Sequence, residues 1–373
     1  MKWVFWSSVA LIGYTYIGYM AWLWIRAQLR PWPVQRGFFD ASVSVVMVVR
    51  NEEVTLAEKL SNLLELDYPT EHWQIVVVSD GSTDRTEAIL REYANHPRVR
   101  VVMNQFSSGK ACGLNDAMEV AEGDIIVFTD ARQKVEPGAV RLLLDNFADA
   151  SVGAVSGELM LGDYNAGEAV RGMGLYWKIE KTIRELESAS GSVAGATGAL
   201  YAMRRRFVVP LPPQTILDDV YLPMEVVRNG GRVIFEPRAR AWDAVSLGAD
   251  REFRRKVRTL SGNYQLLQLA PWILGGSNPI RFEFVSHKLL RLLVPFALMA
   301  MLISSAFLSH PIYRMALVLQ LLLYGLAVVG MLQIKPGIVS PIADAALTFV
   351  VLNTAAVFAF MNFVRGRTAA WNS

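Results

Sequence analysis

Residues 124–132 read Asp-Ile-Ile-Val-Phe-Thr-Asp-Ala-Arg. Ile125 to Phe128 are a continuous apolar run with β-branched residues, which suits a strand covered on both faces. The run stops at Thr129 and Asp130. A carboxylate at the C-terminal end of a central parallel strand stands where open α/β sheets take their ligands. Working outward toward the N-terminus, Val43–Val49, Ile75–Val78 and Val99–Met103 have the same buried-strand character. Helical stretches fall between them, from about Leu56 to Leu66 and from about Arg85 to Tyr93, and a third opens at Gly109-Lys110 and contains Asn115. Strand and helix in alternation, with short connections, predict an α/β fold built on a mostly parallel, doubly wound sheet. No Gly-x-Gly-x-x-Gly follows the first strand, which points away from a dinucleotide-binding dehydrogenase.

Toward the C-terminus, Val152–Leu161 reads as a further strand. A helix is expected from about residue 167 to 188, with Val170, Met173, Trp177 and Ile183 as a core-facing stripe. The glycine- and alanine-rich stretch 191–203 leads to Arg204, Arg205 and Arg206, read as a solvated or membrane-facing basic run. Pro210, Pro212 and Pro213 make a stiff loop that delivers Leu217-Asp218-Asp219, and a short strand, Val233–Phe235, precedes Pro237.

The ends of the chain have a different composition. Over 373 residues, 53% are hydrophobic and only 19% charged, and the mean hydropathy is +0.28. That is too apolar for an ordinary soluble enzyme, and the excess sits at the two ends. Trp3–Ile25 is long enough to cross a bilayer, with Trp3, Trp6, Trp22 and Trp24 near its ends as in an interfacial aromatic belt. Its length, and the lack of a small-residue cleavage site after it, favour an anchor over a cleaved signal peptide. Arg26, Arg30 and Arg36 follow directly and place what comes next in the cytoplasm by the positive-inside rule. Asn263–Leu274 reads as an interfacial helix. Leu289–Leu308, Met315–Leu332 and Ile342–Val364 are three more spanning candidates, interrupted by His310-Pro311 and Lys335-Pro336-Gly337. Four spans put the C-terminus outside, where Arg365 and Arg367 run against the rule but are outweighed by the cytoplasmic Arg281, Lys288, Arg291 and Lys335. The expected organisation is an anchor (1–36), a cytoplasmic catalytic domain (37–262), an interfacial segment (263–288) and a C-terminal membrane region (289–373), in the inner (cytoplasmic) membrane. A net charge of +3 calls for no nucleic-acid partner, and a single cysteine, Cys112, excludes an internal disulfide framework. The four histidines lack zinc-type spacing.

Asp80, Asp130 and Asp219 each close a strand or loop arriving at one sheet edge. Carboxylates with basic groups at one edge suit a nucleotide diphosphate and a divalent metal, since Mg²⁺ bridges protein oxygens to phosphates. Asp84 reads as a helix cap. The ordered set Asn51-Glu52, Asp80-Gly81-Ser82-Thr83-Asp84, Lys110 with Asn115, Asp130, and Asp218-Asp219 resembles a membrane-bound family-2 glycosyltransferase over roughly residues 40–260. Hyaluronan, chitin-oligosaccharide and cellulose synthases and lipid-directed sugar transferases are of that kind.

The resemblance implies a GT-A fold and inverting transfer from a nucleotide sugar, most often a UDP-sugar. It implies that Glu52 and Asp80 contact the nucleoside, with Asn51, Gly81, Lys110 and Asn115 around the same pocket. Asp130 matches the first aspartate of the Asp-x-Asp metal motif, and Asp219, beside Asp218, matches the general base. Two departures stand out. Arg132 replaces the motif's second aspartate, where a cation could pair with the diphosphate, so a requirement for Mg²⁺ or Mn²⁺ is left open. The Gln-x-x-Arg-Trp motif of processive synthases reads here Arg255-Lys256-Val257-Arg258-Thr259: Arg258 keeps the phosphate-binding guanidinium and the tryptophan is absent. The expected partners are a nucleotide-sugar donor, a lipid-linked saccharide or polysaccharide acceptor, and membrane lipids. The alternatives are a processive synthase that threads its product through the spans and a silent nucleotide-binding scaffold.

Overall fold

The structure, a computed structural model, describes residues 1–164, 168–169, 175–244, 249–332 and 340–366. Val170, Met173, Lys335-Pro336-Gly337 and Arg367 lie outside them. The strands are β1 (Val43–Val49), β2 (Trp73–Asp80), β3 (Val99–Asn104), β4 (Ile125–Phe128), β5 (Lys134–Val135), β6 (Val152–Asp163), β7 (Glu168–Ala169), β8 (Tyr201–Arg204) and β9 (Arg232–Asp243). They form one sheet in the order β3-β2-β1-β4-β8-β6-β9-β5, with β7 paired to β6. β1 runs parallel to both β2 and β4, and β2 to β3. Their C-terminal ends therefore share one edge, and Asn51, Asp80 and Asp130 arrive there together.

The pleat sorts the core into two layers. Val46 and Val48 of β1 face a cluster with Ala111 and Leu114 of α4 (Lys110–Val120). Val45 and Met47 face the other side, against Leu56 and Leu60 of α2 (Leu56–Leu64) and Leu90 of α3 (Thr86–Tyr93). Burial of such a side chain contributes roughly 1.5–3 kcal/mol. A strand buried on both faces shows no polar–apolar alternation, which is why these strands read as unbroken apolar runs.

Two expectations are corrected in the second half of the sheet. Tyr201–Arg204 is a strand, β8, antiparallel to both β4 and β6. Arg204 is accordingly no solvated cation: its Nε donates to the Val152 carbonyl at 2.8 Å, and its guanidinium lies over the Phe39 and Phe147 rings. Arg205 and Arg206 are exposed, the first donating to the Ala121 carbonyl and the second lying over the Phe207 ring. The strand expected to stop before Pro237 continues to Asp243. Phe235 pairs with Ser156 and Arg240 with Glu158, so residues 236–239 bulge out of the ladder, where a proline without an N–H is tolerated.

Among the described residues four helices are long and apolar enough to cross a membrane: α1 (Lys2–Leu29), α9 (Arg281–Phe307), α10 (Pro311–Met331) and α11 (Ser340–Val364). Between them α5 (Ala139–Leu144), α6 (Leu175–Ser190), α7 (Asp218–Arg228) and α8 (Ala249–Leu269) belong to the sheet domain and its flank. The helix expected from about residue 167 is described from Leu175. The segment expected to lie apart from residue 263 onward is, up to Leu269, the last third of α8, followed by one turn, Pro271–Leu274.

Buried polar contacts bind the apolar helices to the domain. Tyr19 of α1 donates to Glu187 of α6 at 2.6 Å, and Arg26 pairs with Glu283 of α9. His287 of α9 sits between Glu187 (2.9 Å) and Glu180 (3.0 Å). Burial alone would raise Glu180, but His287 and Arg291 more than offset it and hold its carboxyl well below the usual range.

Candidate functional site

Asp80, at the end of β2, is fully buried and has both oxygens occupied. Oδ1 accepts from the Ser108 N–H at 2.7 Å, and Oδ2 from the Ser107 hydroxyl at 2.6 Å and the Gly109 N–H at 3.0 Å. The carboxylate thus clamps the loop that opens α4. Gly81 permits this approach. Its φ is +60°, and a Cβ there would stand 2.5 Å from the Ser107 nitrogen. Asp80→Ala leaves the Ser108 and Gly109 N–H groups without their acceptor, at an expected cost of roughly 2–3 kcal/mol. Thermal unfolding measures this directly, and an unchanged melting temperature would show the clamp to be dispensable.

The clamp sets the position of Lys110, the first residue of α4. Its ammonium stands 2.9 Å from Asp130 and 3.1 Å from Asp218. Asp218 and Asp219 open α7. The Asp219 carboxylate accepts the Gly198 N–H at 3.0 Å, while its backbone carbonyl accepts the Ala196 N–H at 2.7 Å. A Cβ on Gly198 would lie 3.4 Å from both Asp130 Oδ2 and Asp219 Oδ2, so this glycine lies between the two carboxylates. Burial first, then Asp218 and Asp130, push Asp219 up to about 6, against the opposing pull of Lys110 and Lys288. Burial would lower the Lys110 ammonium, but Asp130 and Asp218 outweigh it and raise it above its ordinary value.

The structure therefore brings Lys110, Asp130, Asp218 and Asp219 together, and ties Asp80 to them through the Ser107–Gly109 loop. Asn51 and Glu52 serve the neighbouring corner. Asn51, at φ 54°, accepts the Thr83 N–H at 2.8 Å, and the Glu52 N–H donates to Thr86 Oγ1 at 2.8 Å. Asp84 accepts the Thr86 N–H at 2.9 Å, as a cap should. Asn115 points elsewhere. Its amide exchanges two hydrogen bonds with the backbone of Leu211, at 2.9 and 2.8 Å, and so fixes the proline-rich loop before Asp218. Arg255 is held by Asp243 (3.6 Å) and Glu252 (3.2 Å). Arg258 is within electrostatic reach of Asp218, Asp130, Asp219 and Arg132. Arg132 is exposed at the rim of a cleft with Thr55, Glu58 and Lys134.

Three further residues belong to this site. Lys59 of α2 is 3% exposed and reaches beneath the Asp130 turn, donating to Thr129 Oγ1 at 2.9 Å and to the Gln133 carbonyl at 2.5 Å. Burial pushes its ammonium down to about 7, with Asp130 only partly holding it up. Tyr201 stacks on Phe128 with ring centroids 4.4 Å apart. Its hydroxyl is buried near the three aspartates without a hydrogen-bond partner among the described residues. Lys288, at the start of α9, brings a cation from an apolar helix toward Asp219. A lysine inside an amphipathic helix pattern gives no sign in sequence of what lies beneath it.

The sheet order and its acidic edge are those of a GT-A glycosyltransferase domain. Residues 44–209 match the family described as Glycosyl transferase family 2. It is 24% identical over 229 residues to the poly-beta-1,6-N-acetyl-D-glucosamine synthase of Staphylococcus aureus (strain COL), covering 60% of this chain and 55% of that protein. It is 27% identical over 234 residues to the probable glycosyltransferase YdaM of Bacillus subtilis (strain 168), covering 59% and 55%. The aligned region spans about half the length of these relatives. The mannosyltransferase PcManGT from Pyrobaculum calidifontis, solved in complex with GDP-Man and Mn²⁺, superposes with a TM-score of 0.75 at 22% identity, covering 96% of this chain and 98% of that one.

The fit of a divalent cation follows from the donor set. Asp130 is the one carboxylate of its motif, and it is paired with Lys110. Among the described residues no three His, Cys, Asp or Glu side chains are arranged to hold a metal ion. The fold accommodates Mn²⁺ in PcManGT, but the residues present here do not build a three-ligand site for Mg²⁺ or Mn²⁺.

Proposed function

We propose that the chain is a membrane-integrated inverting glycosyltransferase that moves a sugar from a nucleotide sugar to an acceptor held at the membrane surface. The observation that carries this reading is Asp219: a carboxylate raised to about 6, oriented by the Gly198 N–H and placed beside Asp130 and Lys110. A base of that strength is ionised at neutral pH yet basic enough to take a hydroxyl proton in the transition state. The acceptor oxygen attacks the anomeric carbon as Asp219 removes its proton, and the bond to the diphosphate breaks with its electron pair. Asn51, Glu52 and Gly81 shape the nucleoside end, while Asp80 acts through the loop that carries Lys110. The four apolar helices, and Lys288 on α9 near Asp219, favour an acceptor that arrives from the bilayer, a lipid-linked saccharide or growing polysaccharide. Arg26, Arg30 and Arg36 favour a cytoplasmic catalytic domain. The lack of the acceptor-stacking tryptophan at Thr259 favours limited transfer over long-chain polymerisation.

The experiment is turnover of a panel of nucleotide sugars by the purified chain in lipid nanodiscs, with lipid extracts and oligosaccharides as acceptors. Transfer from one donor is the expected result. UDP or GDP binding with neither transfer nor donor hydrolysis across the panel would leave a silent scaffold.

A further inference from the structure

We infer that this chain holds the diphosphate of its donor with the guanidinium groups of Arg132 and Arg258 and the ammonium of Lys110, and needs no divalent metal. The inference rests on the glycosyltransferase reading and concerns how the same site handles charge. A nucleoside diphosphate brings several negative charges, and more develops on it as the glycosidic bond breaks, so cations must meet it. At Asp130 the place of a cation is taken by the Lys110 ammonium, 2.9 Å from Asp130 and 3.1 Å from Asp218. The position that would supply the second carboxylate supplies Arg132 instead, a reversal of charge.

Arg132 and Arg258 also have a common deficit. Neither has a hydrogen bond or ion pair among the described residues, whereas Arg255, one turn from Arg258, is committed to Asp243 and Glu252. The two guanidiniums are near enough to repel each other, and Arg258 is half-buried. Two cations this close, neither committed to an ion pair among the described residues, are stabilised by an anion between them. A planar guanidinium meets phosphate oxygens in bidentate fashion, which an ammonium cannot do.

The test is calorimetric titration of UDP and of GDP onto the full chain in nanodiscs, in EDTA and in Mn²⁺ or Mg²⁺. For the nucleotide that binds, the expected Kd differs by less than about threefold between the two conditions. Arg132→Ala, at an exposed position where folding is not at stake, is expected to weaken binding roughly 10–100-fold. Arg132→Asp restores two acidic residues around Ala131, and its binding is expected to be poor in EDTA and to recover with Mn²⁺. A loss of more than about tenfold on chelation of the unaltered chain, reversed by metal, overturns the inference. So does an Arg132→Asp variant that binds as tightly as the parent in EDTA, or a chain that binds neither nucleotide. Metal-free binding without sugar transfer from any donor supports the inference while removing the transferase reading.

Discussion

Asp219→Asn is expected to lower sugar transfer by about 10²–10⁴-fold while nucleotide binding persists, because it removes the proton acceptor and little else. The pH dependence gives a second, independent readout. Burial, Asp218 and Asp130 place the Asp219 carboxyl near 6. Below that pH the base is protonated, so kcat/KM should fall about tenfold per unit as pH drops and level off above about 7. The asparagine variant should lack this limb. Stability moves the other way. A carboxyl raised from 3.8 to about 6 on folding disfavours its own ionisation, so its destabilising effect enters as pH rises through that window and is complete above it. Asp219→Asn should therefore melt no lower than the parent at pH 7.5, and higher if the Gly198 N–H keeps its acceptor. A variant that loses activity together with several degrees of melting temperature would assign Asp219 a structural part instead.

Much of this site could be read from the chain because of where buried parallel strands end. β1, β2 and β4 are near-continuous valine and isoleucine runs, and Asn51, Asp80 and Asp130, at or within two residues of their C-terminal ends, fall at the sheet edge. β8 escaped notice for the opposite reason. Its four residues are covered by β4 and β6, which lie far off in sequence, and the preceding glycines and alanines carry no strand preference. Arg204 then looked like a surface cation, although its partners are the carbonyls of Val152 and Phe147. Asn115 illustrates helix geometry. It follows Lys110 by five residues, which turns it about 140° around the helix and aims it at Leu211 rather than at the aspartates. The position of Asp80 at the end of β2 was legible, but its hydrogen bonds were not. Its partners come from the β3–α4 loop, whose path no local pattern reveals.

Lys110→Met is the sharpest probe of how these charges depend on one another. The ammonium stands between Asp130 and Asp218 and lowers Asp219 at longer range. Without it three carboxylates share one cleft with only the longer-range Arg258 and Lys288 to offset them, and removal of one partner from a largely buried pair costs roughly 3–5 kcal/mol, the lower end here because Asp130 is 37% exposed. Asp219 should then rise further. The acid limb of the rate profile is expected to move up by about one unit or more, each unit being about 1.36 kcal/mol. Asp218 is buried and has Lys110 as its partner, so it carries much of the repulsion. Adding Asp218→Asn to Lys110→Met should return the limb toward its original position, a coupling that two independent sites would not show. The same substitution bears on the metal. Once the ammonium no longer occupies Asp130 and Asp218, their oxygens are open to a hard cation. Lys110→Met is therefore expected to bind Mn²⁺ more tightly than the parent chain, detectable by titration without any nucleotide. If the parent and the variant bind Mn²⁺ equally, Lys110 does not take the cation's place.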